Sequence, residues 1–375
     1  MKINIDLQCV NIQGTGIAEY ARSRIEYLQK QSGFSLYGYV SKMRHNHELD
    51  FFKTYEFPIK MGRIPIRLLY SHSLYNPLPI SYEWLSGSKA DVNLYFTWNI
   101  KRVKHYGITI ATIHDLIALR TEMENQQIVD DQRNDLGFTI RNCDYIITVS
   151  EASKNDIICE FDYPADKIKV VPNGIDFKHF NKKVSEEKLS HIRQKYNLPE
   201  KFILYLGGMR KHKNIERLIE AYALLPIDVK KKYKLVITKG TPALKELVLK
   251  KHLESYVFFI SFVNEEDKVG LYQLASLYAY VSLYEGFGLP VIEAQAAGTP
   301  VLTSNVSSLP EIAGDSALCV TPTNVSEISE GLKAILTNEE LRRKLIEKGY
   351  KNASVYSNEN AGKILCEFLQ SVVKK

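Results

Sequence analysis

The stretch Ser282-Leu-Tyr-Glu285-Gly-Phe-Gly288-Leu-Pro290-Val-Ile-Glu293-Ala-Gln-Ala-Ala-Gly298-Thr-Pro300 decides how the rest of the chain is read. Just before it, Leu277 to Val281 is an apolar run of strand length. Within it, Pro290 with Val291, Ile292, Ala294 and Ala297 suits a helix that begins on proline and stops at Gly298. The glycine-punctuated turn between them then lies at the carboxyl edge of a parallel sheet, where ligands bind and free helical N–H groups favour a phosphate. Gly286 and Gly288 leave main-chain amides without side-chain cover, Glu285 stands at the strand tip, and Glu293 lies within the first turn or so of the helix. Two carboxylates thus frame one anion site. Each feature alone has a plainer reading: two glycines make a turn, and a glutamate early in a helix complements its dipole.

Composition sets the bounds. A chain of 375 residues suits two domains better than one, and 45% hydrophobic with 25% charged residues is the make-up of a chain that folds throughout. The five cysteines are scattered, with no paired spacing for zinc, and are expected to be reduced core residues. Met1 to Asp6 alternates polar with apolar residues and reads as a first strand rather than a signal peptide. No uninterrupted apolar run is long enough to span a bilayer, so a cytoplasmic location is expected. A net charge of +6 is modest, and the basic residues follow no recognition-helix pattern, so nucleic acid is not an expected partner.

Working outward, the chain opens with an expected strand from Ile3 to Val10, the turn Gln13-Gly14-Thr15-Gly16 and an amphipathic helix from Ile17 to Gln29. A lone Gly-x-Gly is equally a phosphate loop and a tight strand-to-helix turn. Thr109 to Ile113 is a buried-type strand ending in His114-Asp115. A lone histidine is ordinarily structural, but at a strand's carboxyl tip it stands on the ligand edge. A helix around Asp130 to Asn142, a strand from Tyr145 to Val149, a helix capped by Ser150 or Ser153 and a strand from Lys169 to Pro172 complete the first half. Asn173-Gly174-Ile175-Asp176 is turn chemistry, which sets the expected domains at 1–172 and 173–375. The second half restarts with a strand from Phe202 to Leu206, runs through Gly207-Gly208 to Arg210-Lys-His-Lys213-Asn214, and enters a helix from Ile215 to Leu225. Cations at a helix start oppose its dipole unless an anion lies between. Strands follow at Tyr233–Thr238, Val257–Val263 and Val301–Thr303, then a short helix capped by the Ser307-Ser-Leu-Pro-Glu311 stretch and a last helix from Asn358 to Val373.

Between Lys53 and Lys104 the chain is basic and aromatic at once, with eight Lys or Arg against three Asp or Glu. Lys53, Lys60, Arg63 and Arg67 with their aromatic neighbours suit an anionic membrane surface. The commoner explanation is core with snorkelling cations, and it is preferred.

Taken together, Glu285, seven residues and Glu293, with Gly-Phe-Gly-Leu-Pro after the first glutamate, closely resemble the retaining glycosyltransferases of family 4. The resemblance continues through Gly14-Thr-Gly16, Thr112-Ile-His114-Asp115, Val149-Ser-Glu-Ala-Ser153, Val171-Pro-Asn-Gly-Ile-Asp176, Tyr205-Leu-Gly-Gly-Met-Arg210-Lys-His-Lys213-Asn214 and Ser307 to Glu311. It implies an α/β fold of the GT-B architecture, two doubly wound Rossmann-like domains facing each other across a cleft, with the last helix, about 358–375, crossing back to the N-terminal domain. By resemblance Glu285, His114, Lys213 and Arg210 are catalytic. Gly14, Gly16, Asp115, Phe262, Val263, Gly286, Phe287, Gly288, Leu289 and Glu293 bind the donor, the main chain at Phe262 and Val263 meeting the base and Glu293 the ribose. Gly208 stands where the family commonly has arginine, and Arg210 is expected to substitute.

The implied activity is transfer of a hexose, mannose from GDP-mannose being favoured, from a nucleotide diphosphate sugar to a glycan or lipid-linked acceptor in cell-surface polysaccharide synthesis. Peripheral attachment at the inner face of the membrane is a further expectation. The chain has no Asp-x-Asp, so no metal cofactor is expected. A nucleotide-sugar epimerase and an inactive glycan-binding subunit are the alternatives.

Overall fold

The computed structural model describes residues 1–11, 16–41, 52, 54–62, 64–70, 77–120 and 126–374, without the side chains of 11, 66 and 67. The chain divides into two compact units, Met1–Gly174 with Asn358–Lys375, and Ile175–Ser357.

In the first unit, strands β1 (Lys2–Asp6), β2 (Ser35–Ser41), β3 (Ile59–Gly62), β5 (Val92–Tyr95), β7 (Ile108–Thr112), β8 (Tyr145–Thr148) and β9 (Ile168–Val170) form one parallel sheet in the order β3-β2-β1-β5-β7-β8-β9. β4 (Leu78–Ser81) and β6 (Val103–Lys104) pair separately. Strands buried on both faces read as continuous apolar runs, as Ile110, Ala111, Ile146 and Ile147 do here. The expected strand over Ile3–Val10 is cut short: it ends at Asp6, and Gln8–Asn11 form a 3-10 turn in which Cys9 and Val10 are still buried. The final helix, Asn358–Val373, packs on Gly16–Gln29 through Gly362, where a Cβ would come within 2.3 Å of the Tyr27 ring. Arg24, fully buried, donates to the Pro172 carbonyl at 3.0 Å and lies 3.4 Å from that of Asn358, so it ties the helix to both ends of the unit.

In the second unit, β10 (Phe202–Tyr205), β11 (Lys234–Thr238), β12 (Val257–Ile260), β13 (Leu277–Tyr280), β14 (Val301–Ser304) and β15 (Leu318–Val320) are all parallel, in the order β12-β11-β10-β13-β14-β15. This is the doubly wound order 3-2-1-4-5-6, which reverses direction between β10 and β13 and leaves a crevice at their carboxyl ends. The two stretches singled out in the sequence, after Tyr205 and after Tyr280, are the loops that flank that crevice.

Part of the basic stretch is core, in line with the preferred reading. Lys53, Arg63 and the side chain of Arg67 lie outside the described residues. Lys60 donates to the Trp84 carbonyl at 2.8 Å and lies over its exposed ring. Lys101 and Arg102 are buried against Asp6 and Asp135, so they cannot belong to a basic surface. The cysteines are free thiols; Cys9, Cys143 and Cys366 are buried, but Cys159 is exposed, because it falls on the outer side of the helix Glu151–Phe161. Among the described residues no helix is long and apolar enough to cross a membrane.

Candidate active site

Two elements of the second unit meet at its switch point. After β10, the chain passes Gly207 and Gly208 into a 3-10 turn, Lys211–Lys213, and Asn214 then adopts φ 60 before the helix Ile215–Ala223. The buried Asn214 amide donates to the carbonyls of Val281 at 2.9 Å and Pro322 at 2.7 Å, which locks this turn against the loop after β13. Lys213 is thereby brought to Glu285: Nζ donates to Oε1 at 2.6 Å and to the Tyr280 hydroxyl at 2.7 Å. Their side chains are only 15% and 10% exposed, so the pair is shielded from bulk water.

The Glu285 loop is held from below. Glu285 N donates to Ser307 Oγ at 2.9 Å, and Ser308 Oγ lies within donating distance of the carbonyls of Glu285 (2.9 Å) and Phe287 (2.8 Å). The Ser307 to Glu311 stretch is expected to cap a short helix, yet no side-chain cap bond forms from Ser308 at the helix Leu309–Ala313; its hydroxyl braces the site loop instead. Gly288 takes φ 111, and a Cβ there would meet Leu309 at 2.7 Å, so both conformation and space demand glycine. Gly286 and Phe287 are buried in this loop, and Leu289 and Pro290 open the helix Leu289–Ala296.

Glu293 sits beyond the first turn of that helix, which holds no acidic residue, so complementing the dipole does not explain it. Tyr272 donates to its Oε2 at 3.0 Å and Lys268 stands 3.6 Å from Oε1. Burial pushes its carboxyl pKa up, and the Lys268 charge opposes the shift. Arg210 is exposed at the entry to the turn, and Gly208 faces open space. Phe262 is 63% exposed with the Lys239 ammonium 4.9 Å over its ring, whereas Val263 is buried.

Sequence reasoning missed the tyrosines beneath this site. Tyr280 stacks with Tyr205 and Tyr278 at interplanar angles of 20° and 19°. The Tyr205 and Tyr278 hydroxyls donate to the carbonyls of Gly208 (2.6 Å) and Leu206 (2.9 Å). The glycine loop after β10 thus rests on hydroxyls from strands that read as plain core. The alternating tyrosines of Leu277-Tyr-Ala-Tyr280 were the available signal, since a buried tyrosine seeks a partner for its O–H.

In the first unit, His114 follows β7 and is buried, with Nε2 3.1 Å from the Phe96 carbonyl and the Tyr20 ring edge-on at 4.8 Å. Because a carbonyl only accepts, Nε2 carries the proton and Nδ1 is the acceptor. Asp115 Oδ1 accepts from Ile117 N at 3.0 Å and starts the short helix Ile117–Arg120. Gly16 opens the first helix, and Gly14 lies outside the described residues.

Burial lowers the pKa of His114 to about 4, and His105 and His212 are lowered similarly. The unfolded imidazole binds its proton near 6.5, so between these values the unfolded state holds more protons and stability is lost as pH falls from about 6.5 toward 4. His114→Gln is expected to remove on the order of 2 kcal/mol of the stability difference between pH 7.5 and pH 5, read from urea denaturation at the two pH values. An unchanged difference would contradict the buried neutral imidazole.

The pattern described as Glycosyl transferases group 1 matches residues 188–352, and that described as Glycosyltransferase Family 4 matches residues 16–179. The chain is 32% identical over 274 residues to the O-antigen chain mannosyltransferase B of Escherichia coli, covering 72% of this chain and 70% of that one. It is 30% identical over 269 residues, 69% of its length, to the serotype-specific mannosyltransferase WbdA of the same species, of which it spans about a third (33%). Among solved structures, sucrose-phosphate synthase from Thermosynechococcus elongatus superposes with a TM-score of 0.73 at 19% identity, covering 99% of each chain. Anabaena Alr3699/HepE in complex with UDP and glucose superposes with a TM-score of 0.73 at 17% identity, covering 99% of this chain and 100% of that one. A chain with these two patterns, this relative over most of both lengths and this pair of doubly wound sheets belongs to glycosyltransferase family 4 and has the GT-B fold.

Proposed function

We propose that the protein transfers a hexose, mannose in the favoured case, from a nucleotide diphosphate sugar such as GDP-mannose to a hydroxyl of a glycan or lipid-linked acceptor, with retention of anomeric configuration, in cell-surface polysaccharide synthesis. The observation that carries the reading is the shielded Lys213–Glu285 pair at the switch point, beside a glycine loop that opens a helix. Mannose is favoured because the two Escherichia coli relatives, matched over 72% and 69% of this chain, are mannosyltransferases by name.

In this reading Glu285 and the main chain of Gly286 to Leu289 hold the sugar hydroxyls, Glu293 takes the ribose, and the main chain at Phe262 and Val263 the base. Lys213, Arg210 and the N-terminus of Leu289–Ala296 take the diphosphate. His114 would accept from a sugar hydroxyl through its Nδ1 lone pair, with Gly16 and Asp115 shaping the adjoining loops. The bond from the anomeric carbon to the leaving phosphate breaks as that from the acceptor oxygen forms on the same face, and the acceptor's proton passes to the phosphate oxygen. The cation at Lys213 stabilises the departing charge, which is the main electrostatic task.

The test is incubation with GDP-mannose and a mannosyl acceptor, with the product's anomeric configuration read by NMR. A retained α-linkage and release of GDP only with acceptor are expected. An inverted linkage overturns retention. Isomerised sugar without acceptor supports the epimerase instead, and no turnover of any nucleotide sugar supports the binding subunit.

Fixed cations in place of a divalent ion lead to a second expectation. Activity in excess EDTA will stay within about twofold of the untreated rate; loss to EDTA with recovery on adding Mg2+ or Mn2+ overturns it.

A further inference from the structure

We infer that Tyr280 is a positioning residue for Lys213, holding its ammonium in place once a bound donor claims Glu285. This rests on the nucleotide-sugar reading of the same site and adds a residue to it.

An ammonium has three N–H donors. In Lys213 one points to Glu285 and one to the Tyr280 hydroxyl, and among the described residues no third partner is seen. The two partners are not equivalent. Glu285 cancels the charge that a diphosphate would need, and as a sugar-binding carboxylate it must turn its lone pairs to the donor. A phenol holds the ammonium without cancelling it, since it is neutral and burial raises its pKa well above the ordinary tyrosine value. When Glu285 is engaged, Tyr280 is the protein partner that remains.

The hydroxyl is itself well fixed. Tyr280 is 2% exposed at the last position of β13, its ring stacks with those of Tyr205 and Tyr278, and its carbonyl accepts from Thr303 Oγ1 at 2.9 Å. A side chain with few rotamers, already immobilised by neighbours, aims a flexible lysine at little further entropic cost. Tyr205 and Tyr278 cannot replace it, because their hydroxyls are spent on the carbonyls of Gly208 and Leu206.

Tyr280→Phe keeps the ring stack and deletes only the hydroxyl, so it separates positioning from packing. GDP and UDP are titrated against wild type and variant by calorimetry, with guanosine and uridine as phosphate-free controls. The diphosphate that binds wild type is expected to bind Tyr280→Phe about tenfold more weakly, while its nucleoside binds both alike and the melting temperature moves little. Lys213→Met and the double variant Tyr280→Phe/Lys213→Met should bind the diphosphate equally, because Tyr280 acts only through Lys213. Equal diphosphate affinity of wild type and Tyr280→Phe, equal weakening for the nucleoside, or a double variant as much weaker as the two single losses combined each overturn the inference and leave the donor reading standing. Wild type that binds neither diphosphate overturns both.

Discussion

Glu285→Ala is expected to lower kcat by about two to three orders of magnitude, whereas Glu293→Ala is expected to leave kcat within a few-fold and to raise the donor KM about tenfold. The two glutamates are on one motif, but their surroundings differ. Glu285 faces Lys213 at 2.6 Å in a loop braced by Ser307 and Ser308, and under the proposed reading its contact to the reacting sugar strengthens as charge develops. Losing one such preorganised contact costs roughly 10²–10³ in rate. Glu293 is held by Tyr272 and Lys268, and under the proposed reading its ribose contact serves binding common to ground and transition states. Its removal does not strand a cation, because Lys268 keeps Glu265 at 2.8 Å. Glu285→Gln separates the roles further: the amide retains a hydrogen bond to a sugar hydroxyl but loses the charge facing Lys213, so its rate should lie between those of wild type and Glu285→Ala. Steady-state kinetics with varied donor read all three. Near-native kinetics in both alanine variants would sink the assignment of either glutamate.

The part of this site legible in the sequence is the part carried by local chemistry. Glycines with a fixed backbone demand, a proline at a helix start and unbroken apolar strands announce a strand, turn and helix, and β13 ends within one residue of the expected Val281. The last helix, Asn358–Val373, likewise follows its own periodicity. What local pattern does not carry is the partner of a polar atom across the fold. Tyr280 and Lys213 are 67 positions apart, and nothing near either one announces the bond. Ser307-Ser308 before Leu-Pro reads equally as a cap or as a brace, and only the approach of the Glu285 loop decides. The first strand shows the converse. Cys9 and Val10 are as buried as strand residues but reach the core from a 3-10 turn, so apolarity overestimates the length of the ladder.

Lys101 is the clearest case of a residue whose meaning depends on the fold. By composition it belongs to a basic run, yet it is fully buried with Asp6, which ends β1 beside the point where the first unit's sheet reverses. Its ammonium also donates to the Tyr70 hydroxyl at 3.0 Å and is surrounded by the rings of Tyr39, Tyr70, Tyr82 and Tyr95 at 5.0 to 5.8 Å. Removing one member of a buried pair strands the other, at about 3–5 kcal/mol. The cost should be unequal here. Lys101→Met leaves the Asp6 carboxylate with the Gln8 main-chain N–H at 3.0 Å and the Tyr70 hydroxyl at 3.5 Å, whereas Asp6→Asn leaves an ammonium still facing four aromatic rings and the same hydroxyl, contacts that together offset more of the loss. Lys101→Met is therefore expected at the upper end of that range and Asp6→Asn at or below the lower end, measured by urea denaturation followed through a probe in the first unit. Since a domain's whole stability is roughly 5–15 kcal/mol, the lysine variant should unfold this unit at mild denaturant. The double variant Asp6→Leu/Lys101→Met removes both charges and should recover most of the loss, because a well-packed apolar pair replaces a buried ion pair at little or no cost. Single variants of wild-type stability, or a double variant as unstable as the sum of the two, would show that the pair is not the uncompensated burial that its geometry implies.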